Sequence, residues 1–378
     1  MAKPTADVFA ARRRAVMKHA VELAKADKKK VDGVLLTHPT DVRYCTGMPE
    51  GAAALVTDGE SALLVTSPMF RDAAPKQASV DEIVIFDPPQ KADEALKKAL
   101  AGKGFRRLAI QADKLSLGRY RQLVEHLGER RLVELKAIVD EARAAKDASE
   151  LRLIRKTVKI AEDAFSELIA GGAKALIGRT EKELSHELER LMRQRNADGQ
   201  GFPGGIIVGS GPNAASCHHF PTTRKCRANE VVLFDWGAEL DAYRSDITRV
   251  VYLKQPPAKL AEAHPVVEAA LAAATAQVGP GADGKAIDAA ARQVLADGGY
   301  GDLRHGTGHG LGLDIHEAPS LGKTSESKLK AGHVVTVEPG IYLDGLGGIR
   351  LEDDVLVTEK SRTVLTKLPR DLESAILK

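Results

Sequence analysis

A chain of 378 residues is long enough for about two domains, each with its own core. Its 55 basic and 52 acidic residues leave a net charge of only +3, which argues against a nucleic-acid or membrane-surface partner. No apolar run approaches the roughly 18 residues of a membrane span, the N-terminus lacks the apolar core of a secretory signal, and Cys45, Cys217 and Cys226 are odd in number and not in metal spacing, so a cytoplasmic setting is expected.

The segment Arg12 to Ala26 is amphipathic. Its basic runs, Arg12 to Arg14 and Lys28 to Lys30, are interleaved with Glu22 and Asp27, as on a solvated helix face. Val34 to Leu36 reads as a strand. Ala53 to Thr57 and Ala62 to Thr66 read as a hairpin around Asp58-Gly59-Glu60, and Glu82 to Phe86 and Arg107 to Gln111 as further strands with helices between them. This is an α/β pattern without a catalytic constellation; Asp41, Arg43, Tyr44 and Arg71 read as surface residues. The charged, alanine-rich stretch Asp140 to Ala148 marks a boundary, giving domains over 1–145 and 146–378.

A helix is predicted over 149–170, with Ser149 as N-cap and Gly171-Gly172 as its stop. Thr180 to Glu183 forms a capping box opening a second helix through Met192. Two β-rich runs follow, Val231 to Gly237 and Tyr243 to Leu253. Folded as a hairpin with a four-residue loop, Glu239 to Ala242, they place Asp235 directly opposite Asp246, with Cβ atoms about 4.5–5.5 Å apart. Pro256-Pro257 and Gly279-Pro280-Gly281 then punctuate helices at about 258–277 and 284–297. A second strand pair, His333 to Gly340 and Gly347 to Val357, is joined across Leu343 to Gly348 and carries Glu338 and Glu352. Helices thus alternate with two acid-bearing strand pairs, which predicts an internal two-fold duplication.

His309 stands between the pairs in a glycine-rich run, Gly306 to Glu317, that lacks the GxxxxGK[ST] pattern of a phosphate loop. Either strand pair alone could be an ordinary hairpin with surface acids. Five ligand-type residues in five such contexts point instead to one site. Four carboxylates would repel unless cations neutralise them, and two divalent ions about 3.5–4 Å apart would both activate a water and polarise a carbonyl.

The ordered motifs DWGA, SDITR, HGTGHGLGLDIHE, VEPGIY and GIRLEDD resemble the creatinase/methionine-aminopeptidase superfamily, most closely its Xaa-Pro peptidase branch, prolidase and aminopeptidase P. The resemblance is strong over roughly 150–368. It implies an α+β architecture: a C-terminal pita-bread domain with duplicated strand pairs behind an N-terminal creatinase-type α/β domain. It implies that Asp235 and Asp246 hold the first of two divalent ions, that Asp246, Glu338 and Glu352 bridge the pair, and that His309 is the one nitrogen ligand. Oxygens plus a single imidazole suit Mn²⁺ and tolerate Co²⁺, Fe²⁺ or Zn²⁺. The resemblance further implies that Glu338 shuttles a proton, that His218, His305 and His316 bind the substrate carbonyl or its tetrahedral intermediate, and that Arg350 supports the site. His219 is read as structural. The implied proline pocket is a hydrophobic wall flanked by His218, His309 and Tyr342. Cys217 departs from the family, which has proline or Leu-Pro over Ala215 to Cys217. Peptides with proline second are the implied substrates and a homodimer the implied assembly. A metal-free creatinase-like amidinohydrolase, or an inactive scaffold of the same fold, are alternatives that should have lost ligands.

Overall fold

A computed structural model describes residues 4–87 and 91–378. Its contacts divide the chain into two units, Met1–Arg143 and Ala144–Lys378. Among the described residues no helix is long and apolar enough to cross a membrane.

The first unit is built on a mixed six-stranded sheet. Its strand order is Glu82–Ile85, Ala62–Thr66, Ala52–Thr57, Gly33–Leu36, Leu108–Gln111 and Leu132–Leu135. The predicted hairpin forms with Thr57 opposite Ala62, while Gly33–Leu36 runs parallel to Leu108–Gln111. The edge strand Leu132–Leu135 was not anticipated; its burial alternates only at Glu134, which hides the period-two signal. Two of the expected surface residues are instead buried. Asp41 accepts hydrogen bonds from Arg143 (2.8 Å) and Gln111 (2.6 Å), and the Tyr44 hydroxyl donates to the Ala142 carbonyl. Arg71 is exposed, paired with Asp87.

In the second unit the helix Ala148–Ile169 is capped by Asp147, not Ser149, through a reciprocal box with Glu150. The carboxylate accepts from both Ser149 and Glu150 amides, a stronger cap than the serine one step later. Glu181–Gln194 carries the predicted Thr180–Glu183 box. The helices Ala258–Gln277 and Gly284–Asp297 begin and end where the Pro-Pro and Gly-Pro-Gly punctuation places them. They bury Leu260, Val267, Leu271, Ile287 and Ala291 against Val231, Leu233, Val250, Val335 and Val355 of the sheets. Trp236, the only tryptophan, stacks on Phe165 at 4.4 Å and donates to the Ala161 carbonyl, locking Ala148–Ile169 to the strand that carries Asp235.

The duplication is visible in the sheets. One places Ile207–Ser210, Val231–Trp236 and Ile247–Leu253 side by side; the other places Gly308–Gly310, Val334–Val337 and Asp353–Val357 side by side. An isolated bridge stands at the start of the second helix in each half, Thr180 with Lys225 and Asp283 with Lys328.

The first hairpin differs from expectation by two residues of register. Asp235 lies opposite Thr248, not Asp246. The turn is the two-residue Asp241-Ala242, both with positive φ (51° and 65°), flanked by Glu239 paired with Arg244 and Leu240 with Tyr243. Such a turn matches strand twist but normally takes Asn or Gly, so Ala242 conceals it. The shift is even, so both acids keep the same face. Gly237 is required there, because a Cβ would fall 1.7 Å from the Ser245 carbonyl oxygen. In the second hairpin Val337 pairs with Asp353 and Gly340 with Arg350, a register that sets Glu338 against Glu352.

Candidate metal centre and active site

Each ligand-type side chain except His309 sits at a strand end. Asp235 is one residue from the end of Val231–Trp236, and Asp246 precedes Ile247–Leu253. Glu338 follows Val334–Val337, Glu352 precedes Asp353–Val357, and His309 is central in Gly308–Gly310. One donor atom each of Asp246, His309 and Glu352 lies within 4.8 Å of the others. His309 Nε2 stands 3.4 Å from Glu338 Oε1 and 3.6 Å from Asp246 Oδ2, too far for good hydrogen bonds. Its Nδ1 donates to the Gly310 carbonyl (3.1 Å), which leaves Nε2 facing the acids.

A cation fits this donor set. Asp235 is 8% exposed, yet its Oδ1 is buried without a hydrogen-bond partner. Burial, then repulsion from Glu352, Asp235 and Glu338, pushes Asp246 well above the usual carboxylate range. Burial, then Glu338 and Asp235, does the same to Glu352, and burial raises Glu338 to about 7. Burial and the neighbouring His316 hold His309 down at about 3, so its imidazole is neutral and available. Carboxylates driven toward protonation around a neutral imidazole is the electrostatics expected where positive charge belongs. The donors that converge, carboxylate oxygens with one imidazole, are those of a divalent-cation site.

Arg350 ties the cluster together. It donates to Asp235 Oδ2 (2.5 Å), Thr248 Oγ1 (3.1 Å), the Tyr342 hydroxyl (2.9 Å) and the Cys217 carbonyl (3.2 Å). Burial opposes its charge, but Tyr342, Asp235 and Glu338 hold its pKa well above that of free arginine. The Cys217 contact is through the backbone, so the thiol that departs from the family pattern leaves this link unaffected. Thr248 passes a 2.6 Å hydrogen bond on to Glu352.

Every sequence-derived site residue except Tyr342 lines one cavity of about 390 Å³. Tyr342 is only 8% exposed and lies behind the wall. With His305 Nδ1 donating to the Gly306 carbonyl (2.8 Å), its Nε2 accepts from the Tyr342 hydroxyl (2.8 Å), which in turn accepts from Arg350. Burial lowers His305 to about 4, consistent with a neutral ring. Both its nitrogens are therefore engaged within the protein. His316 and His218 are exposed to the cavity, His316 with its ring edge-on to His309 at 4.2 Å.

Several contributors were invisible in the sequence reading. Asp354 accepts the Asp246 amide (3.2 Å) and is fully buried. Arg249 binds the Glu352 carbonyl (2.6 Å) and Asp353 (2.9 Å), fastening the second hairpin to the first. Glu181 is buried and accepts from Ser210, Asn213, His219 and Thr222, gathering the loop that presents His218. Only the alternation in Ser-Asp-Ile-Thr-Arg hinted that Thr248 shares a face with Asp246.

Comparison with known proteins shows the family. Residues 152–359 match metallopeptidase family M24, and residues 22–145 match the creatinase/prolidase N-terminal domain. An Xaa-Pro dipeptidase of Pyrococcus furiosus is 32% identical over 348 residues, covering 92% of this chain and 96% of that protein. Among solved structures, an Xaa-Pro dipeptidase from Bacillus anthracis superposes with a TM-score of 0.88 at 32% identity, covering 96% of this chain and 99% of that one. An X-Pro aminopeptidase from Thermotoga maritima superposes with a TM-score of 0.82 at 30% identity, covering 90% and 97%.

Proposed function

Because the chain belongs to metallopeptidase family M24, with a creatinase-like domain ahead of its pita-bread catalytic domain, we propose that it removes one residue from the N-terminus of peptides whose second residue is proline. The observation that carries this is the convergence of Asp246, His309 and Glu352 with Asp235, whose buried Oδ1 has no partner, in a cavity with exposed imidazoles. The similarity to Xaa-Pro peptidases supports the proline preference.

In this reading Asp235, Asp246, His309, Glu338 and Glu352 hold two divalent ions, Mn²⁺ by preference, with Co²⁺, Fe²⁺ or Zn²⁺ as substitutes. Bound there, the ions would lower the pKa of a water and polarise the scissile carbonyl. Glu338 takes the proton released as that water attacks the carbonyl carbon and delivers it to the proline nitrogen as the C–N bond breaks. His316 donates to the developing oxyanion; burial lowers its pKa, so it does so as a neutral N–H. His218 contacts the substrate from the facing loop. Arg350, bonded to the Tyr342 hydroxyl that in turn donates to His305, fixes Asp235 from the cavity wall. A tertiary X-Pro amide has no N–H, so the site needs no acceptor there, and Ile207, Ile315 and Phe202 can enclose the ring. The working assembly is read as a cytoplasmic homodimer, which light scattering would test.

The discriminating experiment compares Ala-Pro and Ala-Ala peptides with the Mn²⁺-loaded enzyme, before and after chelation. Cleavage of Ala-Pro alone, abolished by chelation and restored by Mn²⁺ or Co²⁺, is expected. Equal rates on both would remove proline from the description, and undiminished activity in a verified metal-free sample would remove the ions.

A further inference from the structure

Three large hydrophobic side chains are well exposed among the described residues, Met69, Leu117 and Phe220, and only Phe220, at 72%, lines the catalytic cavity. Single exposed apolar residues are common and need no function. Phe220 differs in being held in place. On one side His219 Nε2 donates to Glu181 Oε2 at 2.9 Å; on the other, the Thr222 amide and hydroxyl donate to the same oxygen at 2.9 and 2.7 Å. Pro221 between them has a fixed φ. The ring edge lies 3.9 Å from where a Cβ on Gly204 would stand, so a glycine leaves room beside it. Phe202 belongs to the same rim, its amide held by Gln200 at 2.7 Å. The result is an exposed aromatic ring, on backbone held at both sides, lining the same cavity as the acids.

We infer that Phe220 is a specificity determinant that packs against an apolar side chain on the residue following proline. This rests on the exopeptidase reading above. An enzyme that removes a single residue encloses the N-terminal end of its substrate, so the rest of the chain must leave through the mouth. With the scissile carbonyl over the buried acids, the residue after proline is the first to reach the rim, each residue advancing the chain by about 3.3–3.6 Å. An aromatic ring whose backbone is already fixed gives up little conformational freedom when a side chain covers it. The inferred substrates are therefore Xaa-Pro-Yaa peptides with a hydrophobic Yaa.

The test is kcat/KM of the Mn²⁺-loaded enzyme on Ala-Pro-Leu and Ala-Pro-Ser, with Ala-Pro and Ala-Ala-Leu as references, for wild type, Phe220→Ala and Phe220→Tyr. Wild type should prefer Ala-Pro-Leu over Ala-Pro-Ser by roughly tenfold. Phe220→Ala should bring the ratio close to one, mainly through KM, and Phe220→Tyr should restore it. A wild type that cleaves Ala-Pro but neither tripeptide overturns the inference while leaving the proline reading intact. Equal rates on Ala-Pro-Leu and Ala-Ala-Leu overturn the proline reading, and the Leu-to-Ser ratio still judges Phe220. An unchanged ratio in Phe220→Ala overturns the inference, and if the particle mass also falls, the ring belongs to a contact between copies of the chain.

Discussion

Arg350 holds Asp235 by a 2.5 Å hydrogen bond to Oδ2, while Oδ1 of the same carboxylate is buried without a partner. One oxygen is thus committed to the protein and the other is left for a ligand. The guanidinium fork is needed because Arg350 also reaches Thr248, Tyr342 and the Cys217 carbonyl, an array that a single ammonium cannot span.

Arg350→Lys is accordingly expected to lower kcat/KM by roughly 10–100-fold, the usual effect of removing a group that orients a metal ligand. The protein should keep its fold and at least one ion. Metal analysis beside steady-state kinetics checks this; wild-type turnover in the Arg350→Lys protein would show that Asp235 needs no such support.

Removing metal should invert the pH dependence of stability. Glu338, Asp246 and Glu352 all have folded-state pKa values raised above their unfolded values, Glu338 to about 7. Below about 6.5 the neutral-held His305 and His309 act in the opposite sense; above it, where they are neutral in both states, the metal-free folded state binds more protons than the unfolded chain, and its stability falls as pH rises through about 7. Loaded protein should behave oppositely, because ligands must shed protons to bind metal. Melting temperatures of chelated and Mn²⁺-loaded samples at pH 5, 6, 7 and 8 would test this. In Asp246→Asn the metal-free decline should flatten and Mn²⁺ should no longer raise the melting temperature. A metal-free wild type that grows more stable across that window would contradict the electrostatic picture.

His309 and His316 are edge-to-face neighbours, 4.2 Å apart, and should nevertheless fail differently. His309→Ala should lose metal. His316→Ala should keep its metal and lose roughly 10²–10³ in kcat, the scale of one oxyanion donor. Metal loss from His316→Ala would make His316 a ligand and cancel the distinction.

What could be seen in the sequence depended on how local the cause was. The helices Ala258–Gln277 and Gly284–Asp297 were legible because prolines and glycines stop them, and the ligand-type acids because each stands beside a β-rich run. The Asp235 register was not, since it turns on Ala242 adopting a conformation that alanine seldom takes. That His305 and Tyr342, read from the sequence as substrate contacts, also join a hydrogen-bond chain to Arg350 was not legible, because the chain links residues 8 and 37 positions apart. Glu181 looked like an ordinary first-turn acid. Its partners are 29 to 41 residues away, beyond the reach of any periodicity or capping rule.

Glu181 therefore supplies the last prediction. Burial works against its ionisation, yet hydrogen bonds from Thr222, His219 and Ser210 hold its pKa at about 2. That folded value lies below the unfolded one, so its contribution to stability is complete above about 4.5 and is lost as pH falls toward 2. Glu181→Gln keeps the shape but turns an amide N–H₂ toward groups that donate, and is expected to cost about 3 kcal/mol, the scale of a hydrogen bond to a charged acceptor. The damage should be local: hydrogen exchange should rise across 210–222 more than in the helix Ala258–Gln277, and KM should rise more than kcat falls, because the loop presents His218 and Phe220 while the metal ligands stand on other strands. Uniform destabilisation with KM unchanged would mean that Glu181 serves the core and not the loop.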